Sequence, residues 1–97
     1  MAGEGLIKRI GVGVPKRITT ATTTLVKAGP GVLHRIIIGT TAAGAITVYD
    51  ALTAASGAEK VVLKASIPEG SYTLGIIFQT GLTVVTAGAS DITVIYE

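Results

Sequence analysis

From Ile18 onward, apolar side chains alternate with polar or small ones at a period of two. The cleanest stretches are Val61, Leu63, Ala65, Ile67 and then Tyr72, Leu74, Ile76, Phe78. Between them stand Lys60, Val62, Lys64, Ser66 and Thr73, Gly75, Ile77, Gln79, which are more polar but still partly apolar. A strand sends successive side chains to opposite faces, so this pattern predicts one face packed inward and one only half hydrated. No segment has the i, i+3, i+4 spacing of a long amphipathic helix. Threonine, valine and isoleucine dominate, and branched Cβ atoms favour strands. The predicted strands are Thr19–Val26, Val32–Ile38, Ala45–Leu52, Lys60–Ile67, Ser71–Gln79, Leu82–Thr86 and Ile92–Tyr96, with an eighth possible from Leu6–Ile10. Short strands at even spacing predict an all-β fold, an antiparallel β-sandwich or jelly roll of seven to eight short strands.

The punctuation agrees. Ala28-Gly29-Pro30-Gly31 and Ile67-Pro68-Glu69-Gly70 suit tight turns, with proline setting φ and glycine accepting unusual values. Ser56-Gly57 separates two runs, and Thr80-Gly81 and Ala87-Gly88 predict short hairpins. The Pro68-Glu69-Gly70 turn predicts that Lys60–Ile67 and Ser71–Gln79 are antiparallel neighbours, with Leu63 and Phe78 on one inner face. The start of the chain reads differently. Gly3, Gly5, Gly11, Gly13 and Pro15 interleave with Leu6, Ile7, Ile10, Val12 and Val14. That mixture predicts an extended N-terminal arm over residues 1–17, ahead of a sandwich domain over 18–97.

Composition changes the picture of the surface. Of 97 residues, 48% are hydrophobic and only 14% charged, and the mean hydropathy is +0.65. A globule of this mass exposes roughly 5,200 Å². Eight basic and six acidic residues cannot cover that area alone. Soluble domains ordinarily carry about a quarter charged residues. Part of this surface is therefore expected to lie against other protein subunits. The charges are also uneven. Lys8, Arg9, Lys16 and Arg17 fall in the first 17 residues against Glu4 alone, and the rest is close to neutral. A basic head on a neutral body makes these four the candidate partner-binding residues, for an acidic surface; a solvated terminus is the plainer reading.

Candidate chemistry is sparse. With no cysteine there is neither a disulfide nor a thiolate metal site. The first residues lack the apolar core of a secretory signal. Apolar runs such as Ile36–Ile38 stop at three residues, far short of a spanning helix. His34 is the one histidine, and a catalytic triad would need it beside Asp50 or Asp91 and a serine. It sits among aliphatics and reads as a packed or interface residue. Glu4, Asp50, Glu59, Glu69, Asp91 and Glu97 are scattered, and no spacing pairs them; Asp50 and Asp91 fall at strand edges, where turn chemistry accounts for them. Neither Gly11-Val12-Gly13 nor Gly29-Pro30-Gly31 continues as a phosphate-binding loop. The isoelectric point near 9.2 raises nucleic acid as a partner. Single-strand binding needs basic residues interleaved with rings, yet Lys60 and Lys64 share a face with Val62 and Ser66 and no aromatic. The expectation is a protein with no enzymatic activity, cofactor or metal, no specific nucleic acid and no membrane.

Three stretches carry a resemblance: the threonine-rich ITTATTTLVKA leading into GPGVLHRIII, the strand ITVYD, and the terminal GLTVVTAGASDITVIYE. With them, Ile18–Glu97 resembles small β-sandwich or jelly-roll virion proteins of tailed bacteriophages, many of which decorate or cement the capsid. These are packing and turn motifs, and no site residue comes with them. The resemblance implies a non-enzymatic virion structural protein, most specifically a capsid decoration or cement protein on the outer head surface, made in the host cytoplasm. Its implied partners are the major capsid protein or other virion subunits, and its implied state is a homo-oligomer, with a trimer favoured. A tail, head–tail connector or fibre-base module would look much the same. A carbohydrate or host-surface binding module is the alternative from another class, and Tyr49 and Tyr72 are the aromatics it could use.

Overall fold

A computed structural model describes residues 13–97. Eight strands succeed one another: β1 (Val14–Ile18), β2 (Thr22–Ala28), β3 (Gly31–Thr40), β4 (Ile46–Tyr49), β5 (Glu59–Leu63), β6 (Gly70–Phe78), β7 (Gly81–Thr86) and β8 (Asp91–Tyr96). They form two four-stranded sheets, ordered β1-β8-β3-β6 and β2-β7-β4-β5. Every ladder is antiparallel, and the pairs nest: β1 with β8, β2 with β7, β3 with β6, β4 with β5. The β3–β8 and β4–β7 ladders complete each sheet. This nesting is a jelly roll, a long hairpin rolled up so that it closes into two facing sheets. The expected all-β sandwich is borne out in that form.

The inward faces follow from the alternation. Ile18, Leu33, Ile36, Ile38, Phe78, Ile92 and Val94 of the first sheet meet Ile46, Val48, Leu63, Leu82 and Val84 of the second. Ile67, on the connector between β5 and β6, joins them. Burying a side chain of this size contributes about 1.5–3 kcal/mol. Val61, Tyr72, Leu74 and Ile76 pack against this core, as their period predicts. Ala65 does not; it is exposed in a turn with Ser66.

Three expectations are corrected. Residues 14–17, read as the end of an arm, form most of β1, paired from Val14↔Tyr96 to Ile18↔Ile92. Pro15 made the segment look unlike a strand, but β1 is an edge strand, where a missing N–H leaves no ladder bond unmade. The possible strand Leu6–Ile10 lies outside the described residues. Secondly, β5 and β6 are not neighbours. β5 ends at Leu63, and Lys64–Glu69 carries the chain from one sheet to the other. Thirdly, Thr80-Gly81 and Ala87-Gly88 also lead from sheet to sheet. In a jelly roll a short turn between consecutive strands arches across the sandwich, and only β4–β5 is a hairpin. Period two reports which way side chains face, and says nothing about which strand accepts the ladder.

Bulges keep the faces aligned. Leu33 pairs with Tyr96 but Arg35 with Ile95, which leaves His34 as an extra residue in β3. This is how Leu33 and Ile36 both face inward although three positions apart. Opposite, β6 holds its own extra residue, and Gly75 there has φ 61°, a conformation suited to glycine.

Candidate interaction surfaces

Each sheet has an outer face, and the registers place its residues in rows. On the first sheet, Arg17, Thr93, Ile37 and Ser71 form one row, and Pro15, Ile95, Arg35 and Thr73 the next. Arg17 donates from Nε to Asp91 Oδ1 at 3.0 Å and from Nη2 to Oδ2 at 2.7 Å. That two-pronged contact holds the Asp91 carboxyl below its ordinary range, chiefly through the hydrogen bonds. His34 Nε2 lies 3.1 Å from Glu97 Oε1. This face is charged: Arg17 and Asp91 are matched within it, and Glu97 shares a hydrogen bond with His34.

The second sheet's outer face is different. Thr23, Val85, Thr47 and Val62 make one row across all four strands. Leu25, Thr83, Tyr49 and Glu59 make the next, with Glu59 at the β5 edge. The first row has no ionisable group. Val62 is 60% exposed and Leu25 47%. Thr83 is fully buried because the chain after β4 passes over it, and its hydroxyl donates to the Ala51 carbonyl at 2.7 Å. Leu52, also largely exposed, lies over Gly81: a Cβ there would stand 2.9 Å from Leu52 Cδ2.

One carboxylate fixes that overlying segment. Asp50, just after β4, accepts on Oδ1 from the backbone N–H of Thr80 at 2.8 Å, Gln79 at 3.0 Å and Gly81 at 3.3 Å. These donors, Thr80 first, hold its carboxyl below the usual range. Turn chemistry is what the sequence suggested for Asp50, but the turn it serves is β6–β7, far along the chain. No local signal could have revealed that. The other described carboxylates are also engaged: Glu59 accepts from Gly57 N–H at 2.9 Å and Glu69 from Thr41 N–H at 3.1 Å. Among the described residues no three histidine or carboxylate groups converge, and no pocket is enclosed.

Two of the four predicted partner-binding residues fall within the described structure. Lys8 and Arg9 lie outside the described residues. Lys16 and Arg17 belong to β1, Lys16 exposed opposite Val94 and Arg17 bound to Asp91. The two tyrosines considered for carbohydrate lie on different sheets. Tyr72 packs against the core and donates its hydroxyl to the Pro68 carbonyl at 2.6 Å, while Tyr49 stands on the second outer face. No helix among the described residues is long and apolar enough to cross a membrane.

No family model matches the chain, and no curated protein or solved structure matches it.

Proposed function

We propose that this chain is a non-enzymatic virion structural protein of a tailed bacteriophage, most specifically a decoration or cement protein bound to the outside of the head. The observation that carries the reading is the uncharged outer row Thr23–Val85–Thr47–Val62 on a two-sheet body, with Val62 60% exposed, a surface that another protein can cover without desolvating an ion. The sequence resemblance supplies the particle. The mechanism is physical. A stiff jelly roll bridges adjacent capsid subunits, and Lys8, Arg9 and Lys16 meet acidic capsid surface. Arg17 contributes less, because Asp91 already balances it. Each contact adds buried apolar area at ~25 cal/mol per Å², less the cost of association. Many symmetric copies then oppose the pressure of packaged DNA.

Co-sedimentation with heads and tails of the virus that encodes the chain tests this. Saturable binding to heads, with symmetric density in electron micrographs and a raised rupture temperature, is the expected result. Binding to tails alone would move the protein to a tail role, and binding to neither would overturn the proposal. Deleting residues 2–12 should leave the fold intact, since β1 begins at Val14, and should weaken attachment. Unchanged attachment would remove the arm from the mechanism.

A further inference from the structure

We infer that one water molecule is bound between the hydroxyls of Thr41 and Ser90, where it ties the β3–β4 loop to the β7–β8 loop and closes that end of the sandwich. The site belongs to the folded chain alone and is tested without particles.

Two buried threonines show how this fold treats such groups. Thr83 Oγ1 donates to the Ala51 carbonyl at 2.7 Å, and Thr86 Oγ1 to the Thr20 carbonyl at 2.6 Å. Thr41 Oγ1 and Ser90 Oγ are buried too, yet neither has a partner among the described residues. An unpaired buried hydroxyl is costly, and native structures almost always give it a partner, from the protein or from ordered water. The registers bring the two orphans together. The β3–β8 ladder ends at Thr40↔Asp91, so Thr41 and Ser90 face each other one step beyond it. Asp91 reaches outward to Arg17, which puts Ser90 on the inward side with Ile92, and Ser90 is 2% exposed. No direct bond joins the two hydroxyls. An oxygen between them satisfies both at once.

The surrounding groups are committed elsewhere. Glu69 Oε2 accepts from the Thr41 N–H at 3.1 Å, the Gly88 carbonyl from the Ser90 N–H at 2.8 Å, and the Ala42 carbonyl from the Ser66 N–H at 3.0 Å. The two loops also pack directly on each other: a Cβ on Gly88 would stand 3.1 Å from Gly44 N and 3.2 Å from Ala42 Cβ. Their other side chains are alanine and glycine, which carry nothing that could swing in and pair the hydroxyls. The chemistry of the ligand follows. It must both donate to and accept from neutral hydroxyls, and it must be small, because no pocket is enclosed among the described residues. A cation would want carboxylates. Asp91 is held by two bonds from Arg17, Glu69 by the Thr41 amide, and no three histidine or carboxylate groups converge among the described residues. Water meets each condition. The Gly88 and Ala42 carbonyls keep a second lone pair, so the same two loops offer it acceptors as well.

Thr41→Val and Ser90→Ala remove the hydroxyls one at a time with little change of shape. Each should lower the folded-to-unfolded ratio about fivefold in urea melts, because the water loses a partner and the remaining hydroxyl is stranded. The double variant should be no less stable than the weaker single one, since nothing polar is left there to satisfy. Thr73→Val, at an exposed threonine of the first sheet, should change the ratio by less than about twofold. A crystal structure of the parent should show one ordered oxygen about 2.6–3.0 Å from both hydroxyls, and the double variant should lack it. The parent crystal decides even if a variant fails to fold. A Thr41→Val variant more stable than the parent, single effects that simply add, or two hydroxyls bonded to each other with no water between them would each overturn the inference.

Discussion

The outer face of the β1-β8-β3-β6 sheet carries Arg17, Arg35, His34, Asp91 and Glu97 beside Ile37, Ile77 and Ile95, and four of the five polar groups meet in two contacts. The outer face of the β2-β7-β4-β5 sheet carries threonine, valine, leucine and tyrosine in the corresponding places, with Glu59 and Lys60 on the β5 edge. Both faces are the outward half of the same period-two alternation, laid over one shared core. The alternation therefore specifies the sandwich and leaves the outward half free to vary. One sheet uses that freedom partly for charged groups, which are at home in water. The other uses it for side chains that lose little when another protein covers them.

The largest expected effect separates outside from inside on the first sheet. Phe78 and Ile77 are adjacent on β6, one buried in the core and the other mostly exposed. Phe78 is the only phenylalanine in the chain, and its ring lies so close to β3 that a Cβ on Gly31 would approach its Cζ to 2.7 Å. Phe78→Ala should cost about 3–5 kcal/mol in urea melts. Ile77→Ala should stay within about 0.5 kcal/mol. If Ile77→Ala proved the costlier, the first sheet's outer face would be a buried surface and the contrast between the faces would fail.

Asp50 gives the next effect, on the second sheet. Asp50→Ala strands three backbone donors in the β6–β7 turn and frees the segment lying over Thr83. The expected cost is about 1–2 kcal/mol, toward the low end for charged hydrogen bonds because water can reach the site. Amide exchange at Thr80 and Gly81 should quicken in the same variant. The pH dependence has a definite sign. The folded carboxyl binds its proton less readily than the unfolded one, so its contribution is present above the unfolded pKa of about 3.9 and fades as pH falls below about 4. Asp50→Asn should lack that part of the acid decline. Unchanged exchange and an unchanged acid limb would mean that the overlying segment is held by Thr83 and Leu52 alone.

Which side chains face the core was legible in the sequence, because Leu63, Ile67 and Phe78 each sit where the alternation puts them. Strand pairing was not. The turn at Pro68-Glu69-Gly70 has hairpin chemistry, yet the strands beside it join opposite sheets. Turn residues specify a local change of direction, while the choice of ladder partner is made by the closing of the whole roll. β1 was hidden for another reason. Pro15 argues against a central strand, and an edge strand next to β8 tolerates it. A shortage of charge raised the expectation of a covered face without saying where it would lie; the registers show that Thr23, Val85, Thr47 and Val62 from four separate strands share one uncharged row.

The smallest expected effect tests the first sheet's charges. The Arg17–Asp91 contact has good geometry, but the two side chains are 68% and 33% exposed, so water and salt screen it. Arg17→Met keeps the aliphatic stem over the sheet and removes the charge. At low salt it should lower the urea midpoint slightly and soften the acid limb, because Asp91 too has its carboxyl held down and loses that contribution as pH falls below about 4. In ~1 M salt, where the screening length is near 3 Å, the variant and the parent should coincide. Asp50→Asn should still differ from the parent there, since its donors are backbone amides in direct contact, with no mobile charge for salt to replace. A large loss from Arg17→Met that persists in high salt would place this ion pair away from water. The first sheet's outer face would then be the covered one, and the assignment of the two faces would have to be exchanged.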